Sequence, residues 1–333
     1  MKPFPNLVFL ATMLFAVSCS EQKKAEAPIS VGQEKNVVRP IEFPKDEGAH
    51  PEQPIEWWYL NSQFSDTAGK DYSFFFAKFR TGRHLTGFYD KSADIFIPKD
   101  YYESVNAAEG KLDATSITGD WKQVGAPFHY TFKYSYDGVA IEASLKANKK
   151  PFLPNGNGFI SMGVKGTSYY YALTDMTLKG TLKRGEETVE IHGTAWMDHQ
   201  WGSWSWVTDF SKWKWYSVKL DNGVDLMLFN IYKDGTLVNS HCGYMDAQGN
   251  QFHKLQCELE TLSYYTDSIG GKWQKDVVLT IPSLPDTKLK LSSEREGQFI
   301  EPLVFWEGSM KAEGTFKGTP VQGMAFGELN RAD

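Results

Sequence analysis

Residues 193–206, GTAWMDHQWGSWSW, set Asp198 and His199 among Trp196, Trp201, Trp204 and Trp206, four of the eleven tryptophans in the chain. A carboxyl group in an aromatic-walled cavity loses solvation of its charged form, so its pKa rises and it can keep a proton near neutrality. Such an acid can protonate an alkene. The carbocation that results is stabilised by the negative faces of indole and phenol rings, by roughly 1–2 kcal/mol each when water is excluded, and capture by water completes a hydration. Asp198 is therefore the candidate general acid, with His199 and Glu56 as candidate assistants. Trp57, Trp58, Trp196, Trp201 and Trp306, together with Glu307, are candidate ligand-binding residues.

A plainer assignment stands beside this one. Asp198 and His199 would pair with backbone groups or an arginine, Glu56 with Lys78 or Arg80, and Glu307 would be a solvated acid at a strand end. The tryptophans would then be ordinary core.

The elements that carry these residues are strands. Short runs of Val, Ile, Phe, Tyr, Trp and Thr recur, separated by turn signals, as in FSDTAGKDYSFFFAKF, YSYDGVAIEASL, VKLDNGVDLMLFNIYKDGTLVN and MDAQGNQFHKL. Only KDYYESVNAAEGKL, near residues 99–112, pulls toward helix, and its apolar spacing is poor. On a strand, Trp196, Asp198 and Gln200 share one face while Met197, His199 and Trp201 share the other, so one set at most lines a barrel interior.

Two halves echo each other: IEWWYLNS (55–62) with KWKWYSVK (212–219), and GTAWMD (193–198) with GMAFGE (323–328). A strand set that returns to its own start is how a sheet closes and removes its edges. The expected fold is all-β, with little helix: two tandem antiparallel β-barrels, residues 49–205 and 206–333, joined near 203–210.

At 333 residues the chain suits two domains of roughly 100–200 residues each. A net charge of -6 and the lack of a Lys/Arg stripe speak against nucleic acid as a partner. No Gly-x-Ser-x-Gly elbow, phosphate-cradling glycine loop, Cys-x-x-Cys or His-Glu-x-x-His occurs, so serine-hydrolase, nucleotide and zinc chemistry have no motif behind them. The seven histidines are scattered, with His241 and His253 flanking a hairpin. No metal and no cofactor is expected.

MKPFPNLVFLATMLFAVSC, residues 1–19, pairs one lysine with an apolar run too short to span a bilayer and ends at Cys19. It is expected to be a signal peptide whose Ala-Val-Ser-Cys ending resembles a bacterial lipobox. That would anchor the protein by a lipid on Cys19 in the cell envelope, with a soluble secreted form as the alternative. Residues 20–48 are expected to be a linker. In an oxidising compartment Cys242 and Cys257 could pair across a hairpin or remain two separate buried thiols.

EWWYLNS, GTAWMDHQWGS and FWEGS together resemble the family of carotenoid 1,2-hydratase and the AttH-like secreted proteins, over roughly residues 50–329. The resemblance implies two lipocalin-like (calycin) barrels. It also implies relatives that hydrate isoprenoid double bonds or fold polyenes, with a large apolar substrate as the shared theme. The chain departs from the family pattern where Gln200 replaces a common Glu and where Leu226 and Leu228 stand near the Tyr and Asp of carotenoid hydratases. Its GMAFGELN ending also lacks a frequent Gly-Tyr. The leading expectation is binding of an apolar small molecule; the alternatives are a cofactor-free hydratase or isomerase, and a structural lipoprotein without ligand.

Overall fold

Asp-Gly pairs punctuate the strands by a specific backbone demand. Asp137 and Gly138 take φ of 51° and 77°, and Asp234 and Gly235 take 49° and 81°, the two successive left-handed residues that a two-residue hairpin turn needs to match strand twist. Between such turns the β-branched and aromatic runs extend and pair.

The computed structural model describes residues 38–300 and 305–333. Cys19 with its leader, and most of the expected linker, lie outside the described residues. The first sheet contains β1 (Ile55–Asp66), β2 (Asp71–Phe79), β3 (Arg83–Asp90), β4 (Ile95–Tyr102), β5 (Asn106–Ala107), β6 (Asp113–Thr115), β7 (Gly119–Gln123), β8 (His129–Tyr136), β9 (Val139–Ala147), β10 (Phe159–Met162), β11 (Gly166–Arg184) and β12 (Glu187–Ser203). The second contains β13 (Lys212–Leu220), β14 (Asp225–Lys233), β15 (Thr236–Met245), β16 (Gln251–Phe252), β17 (Glu258–Thr266), β18 (Lys272–Thr280), β19 (Lys288–Ser293), β20 (Phe299–Ile300), β21 (Phe305–Phe316) and β22 (Thr319–Leu329). The stretch that pulled toward helix is β4, β5 and a turn. Helix among the described residues is confined to two 3-10 turns, Lys45–Glu47 and Pro154–Gly156, so none is long and apolar enough to cross a membrane.

Each ladder path ends on strands that are consecutive in sequence. The first runs β4-β3-β2-β1-β12-β11-β9-β8-β7-β6-β5, and the second β16-β15-β14-β13-β22-β21-β19-β18-β17. Since residues 103–105 and 253–257 are all that separate the two ends of each path, each sheet must curl so that its ends come near each other. The fold is therefore all-β, two curled antiparallel sheets of the lipocalin type, as the strand patterning and the two-half echo predict.

Curling creates three cores. One lies inside the first sheet, around Trp58, Phe74, Phe76, Trp121 and Phe132. The second lies inside the second sheet, around Tyr216, Trp273, Trp306 and Met310. The third lies between the sheets, where Tyr59, Phe75, Trp196, Trp215 and Phe326 interdigitate. Arg39–Asp333 consequently form one compact unit. The interiors of both curled sheets are thus packed with large side chains, each fully buried aliphatic or Phe residue worth about 1.5–3 kcal/mol.

Candidate functional site

The register of β1 against β12 decides where the aromatic and acidic residues go. Trp58 lies opposite His199, and Tyr59 opposite Asp198. Successive strand residues point to opposite faces, so Glu56, Trp58, His199 and Trp201 point into the first sheet's interior. Trp57, Tyr59, Trp196, Asp198 and Gln200 point at the second sheet. The expected cooperation of Asp198 with His199 and Glu56 is corrected here: the sheet stands between them.

Inside, Glu56 anchors a buried relay. His50 Nδ1 lies 2.8 Å and His199 Nε2 3.0 Å from Glu56 Oε1, and the His50 backbone N–H donates to the same carboxyl at 2.9 Å. The far nitrogens are also engaged, His50 Nε2 with Asp46 Oδ1 at 3.3 Å and His199 Nδ1 with the Asp46 carbonyl at 3.1 Å. Burial alone would raise Glu56, but its contacts with His199 and His50 outweigh it and hold its pKa down to about 2. Arg80 Nε sits 2.9 Å from Glu56 Oε2, but its N–H is not aimed along that line, so the contact is an ion pair without a hydrogen bond. Lys78 turns away, donating to the Gly119 carbonyl at 2.6 Å.

Between the sheets lies a cavity of about 280 Å³, walled by Trp57, Phe79, Leu85, Trp206, Phe210 and Trp213 and bottomed by Tyr59, Glu307 and Glu328. Glu307 on β21 and Glu328 on β22 are direct cross-strand partners. Their neighbours Trp306 and Leu329 point into the second core, which sends both carboxyls into the cleft. Trp213 Nε1 donates to Glu328 Oε1 at 2.6 Å, and Tyr59 lines the cavity beside Glu307. Glu307 Oε1 has no partner.

Burial pushes the Glu328 pKa up to about 7, against the Trp213 donor. Burial first, and then the neighbouring Glu328 charge, raises Glu307 well above the glutamate range. Glu328 keeps some accessible surface, as a residue lining a cleft does, while the surrounding aromatics desolvate its carboxyl. Two carboxyls this close do not both ionise readily, so the pair holds a proton at neutral pH. Asp198, on the same side of the first sheet, is also raised well above its ordinary value, by burial. It accepts from Trp196 Nε1 at 2.7 Å.

Of the residues singled out from sequence, Trp57 and Glu307 line this cleft, and Trp196 packs between the sheets. Trp58, Trp201 and Trp306 belong to the two interior cores and are almost wholly buried, which corrects their placement as ligand walls. Glu307 is 2% exposed and so is no solvated acid. Cys242, on β15, forms a disulfide with Cys257, which precedes β17, with Cα atoms 6.1 Å apart.

Sequence reasoning passed over Glu328, Tyr59 and Trp213. The signal for Glu328 was present: it occupies the acidic position of GMAFGE that echoes Asp198 in GTAWMD. It passed over His50 and Asp46 because the irregular arm carries no periodicity from which to place them.

Comparison with known proteins adds the following. Residues 97–331 match the sequence profile described as AttH-like. No curated protein sequence matches significantly. Among solved structures, an AttH protein from Nitrosomonas europaea superposes with a TM-score of 0.78 at 22% identity, covering 92% of this chain and 100% of that one. Kievitone hydratase from Nectria haematococca superposes with a TM-score of 0.74 at 16% identity, covering 89% and 94%. At these identities the likeness is one of fold.

Proposed function

The chain belongs to the AttH-like family, and from that premise we propose that it takes an apolar, unsaturated small molecule into the cleft between its sheets and hydrates it. The observation that carries this is the Glu307–Glu328 pair at the foot of an aromatic cavity. Environments that push two carboxyl pKa values to different heights supply an acid and a base from one residue type. Glu307, the higher of the two, gives its proton to an alkene carbon, forming a C–H bond and a carbocation faced by Trp57, Trp206 and Trp213. Water adds to the cation, and Glu328 as carboxylate takes the proton that water releases. Return of that proton to Glu307 restores the pair, so the net change is alkene plus water to alcohol. The fold shared with a protein named as a hydratase is in keeping with this.

Incubation of the purified protein with isoprenoid or polyene alkenes, read by mass spectrometry, tests it. A product heavier by one water, lost in Glu307→Gln, supports hydration. A tightly held alkene returned unaltered leaves a carrier instead.

The proposal extends to location. The leader ending at Cys19 and a disulfide suited to an oxidising compartment support an exported protein anchored to the cell-envelope membrane. Mass analysis of the mature N-terminus tests it: an acylated Cys19 is expected, and an unprocessed Met1 would refute export.

A further inference from the structure

Within the buried relay inside the first sheet, the contact of His199 with Glu56 is the one that hydrogen bonding alone explains poorly. His199 Nδ1 faces a backbone carbonyl, that of Asp46, at 3.1 Å. A carbonyl only accepts, so Nδ1 must carry the proton. His50 Nε2 faces the Asp46 carboxylate at 3.3 Å and is fixed as a donor by the same logic. In neutral rings, the remaining nitrogens are then lone pairs, and both are aimed at one oxygen, Glu56 Oε1, from 2.8 and 3.0 Å. Three electron-rich atoms on His50, Glu56 and His199 converge within 4.8 Å of one another.

This arrangement matches what a metal-binding histidine pair requires. The nitrogen that does not bind metal donates to a carboxylate or carbonyl, which fixes the tautomer and the ring orientation. Here both rings are also clamped by stacking, His50 on Trp201 with centroids 4.1 Å apart and 3° between planes, and His199 on Trp58 at 4.9 Å and 19°. Two imidazoles and one carboxylate are the protein donor set of a known class of zinc sites, with bonds of about 2.0–2.2 Å. Tetrahedral bonds of that length separate the donors by about 3.3 Å, so the two contacts to Glu56 need to open by only a few tenths of an ångström. Arg80 does not compete for the same atom, since it faces Oε2 and leaves Oε1 to the cluster.

We propose that His50, Glu56 and His199 form a site for a divalent transition-metal ion of the zinc type. His50 lies on the arm before β1, Glu56 on β1 and His199 on β12, 143 residues from Glu56. The ion therefore clips the arm across the end of the first curled sheet. The site lies on the far side of that sheet from the Glu307–Glu328 cleft, so it is independent of the proposed hydration.

The test uses the full-length protein, stripped with chelator and titrated calorimetrically with Zn²⁺ alone. One ion per chain with submicromolar affinity and a rise of several degrees in melting temperature are expected, along with the visible bands of tetrahedral cobalt when Co²⁺ is used instead. His50→Gln should weaken binding at least 100-fold, whereas His192→Gln, on the exposed face of β12, should not. Absorption spectroscopy at the zinc edge on the wild type should report two imidazoles and a carboxylate, which keeps the test decisive if a variant fails to fold. Absence of stoichiometric binding by the wild type, or a different ligand set, overturns the proposal.

Discussion

Glu307 and Glu328 stand directly opposite each other on β21 and β22, with both carboxyls turned toward Tyr59 and the aromatic cleft between the sheets. Each is replaceable by glutamine at nearly constant volume. Glu307→Gln removes the acid and Glu328→Gln the base, and each should lower kcat for alkene hydration by about 10²–10⁴-fold, the usual share of a positioned acid or base. Steady-state rates on a turned-over alkene check this, and an undiminished rate in either variant removes that residue from the mechanism.

The pH profile distinguishes the two roles. With its pKa raised by burial to about 7, Glu328 exists as the base only above that value. The rate should climb as pH passes through about 7 and then level off. A rate that falls there would exchange the roles of the two glutamates.

Stability should carry the opposite slope. Between the ordinary glutamate value of 4.5 and about 7, the folded chain keeps a proton on Glu328 that the unfolded chain has lost. The contribution is fully present below 4.5 and is lost as pH rises through 7. Urea midpoints at pH 5 and pH 8 should differ less in Glu328→Gln than in the wild type; an equal difference would mean that Glu328 is not desolvated.

Trp201 is 1% exposed and stacks on His50. Truncation to alanine should cost about 3–5 kcal/mol by leaving a cavity in a packed interior. Chemical denaturation measures it, and a loss below 1 kcal/mol would argue that the interior is loosely filled.

The disulfide closes a short loop, Cys242 and Cys257 being 15 residues apart. Constraint of the unfolded chain by a loop of that size is worth about 3 kcal/mol. Paired Cys242→Ser and Cys257→Ser substitutions should lower the unfolding free energy by about that amount, and reductant should then have no further effect. Continued sensitivity of the variant to reductant would contradict this.

Much was fixed locally. Asp-Gly turns, β-branched and aromatic runs and the echo between the halves specify strands, hairpins and two returning sheets, because a period of two and a left-handed turn are properties of a few consecutive residues. The same period separates Asp198 from His199 on sight of the sequence. Which face meets which core is not a local property. It depends on the curl of the sheet and on what packs outside it, so the greasy hollow lies between the sheets rather than within either one, and Trp58, Trp201 and Trp306 became filling.

The two clusters of chemical groups were decided only by tertiary structure. Glu307 and Glu328 meet because a hairpin register sets them opposite each other, and Glu56 meets His199 because the first long strand of its sheet pairs with the last. His50 joins them from an arm with no repeating pattern at all. Sequence spacing carries side-chain direction along one strand, whereas distance between strands is set by which ladders form, and those depend on the burial of the whole chain.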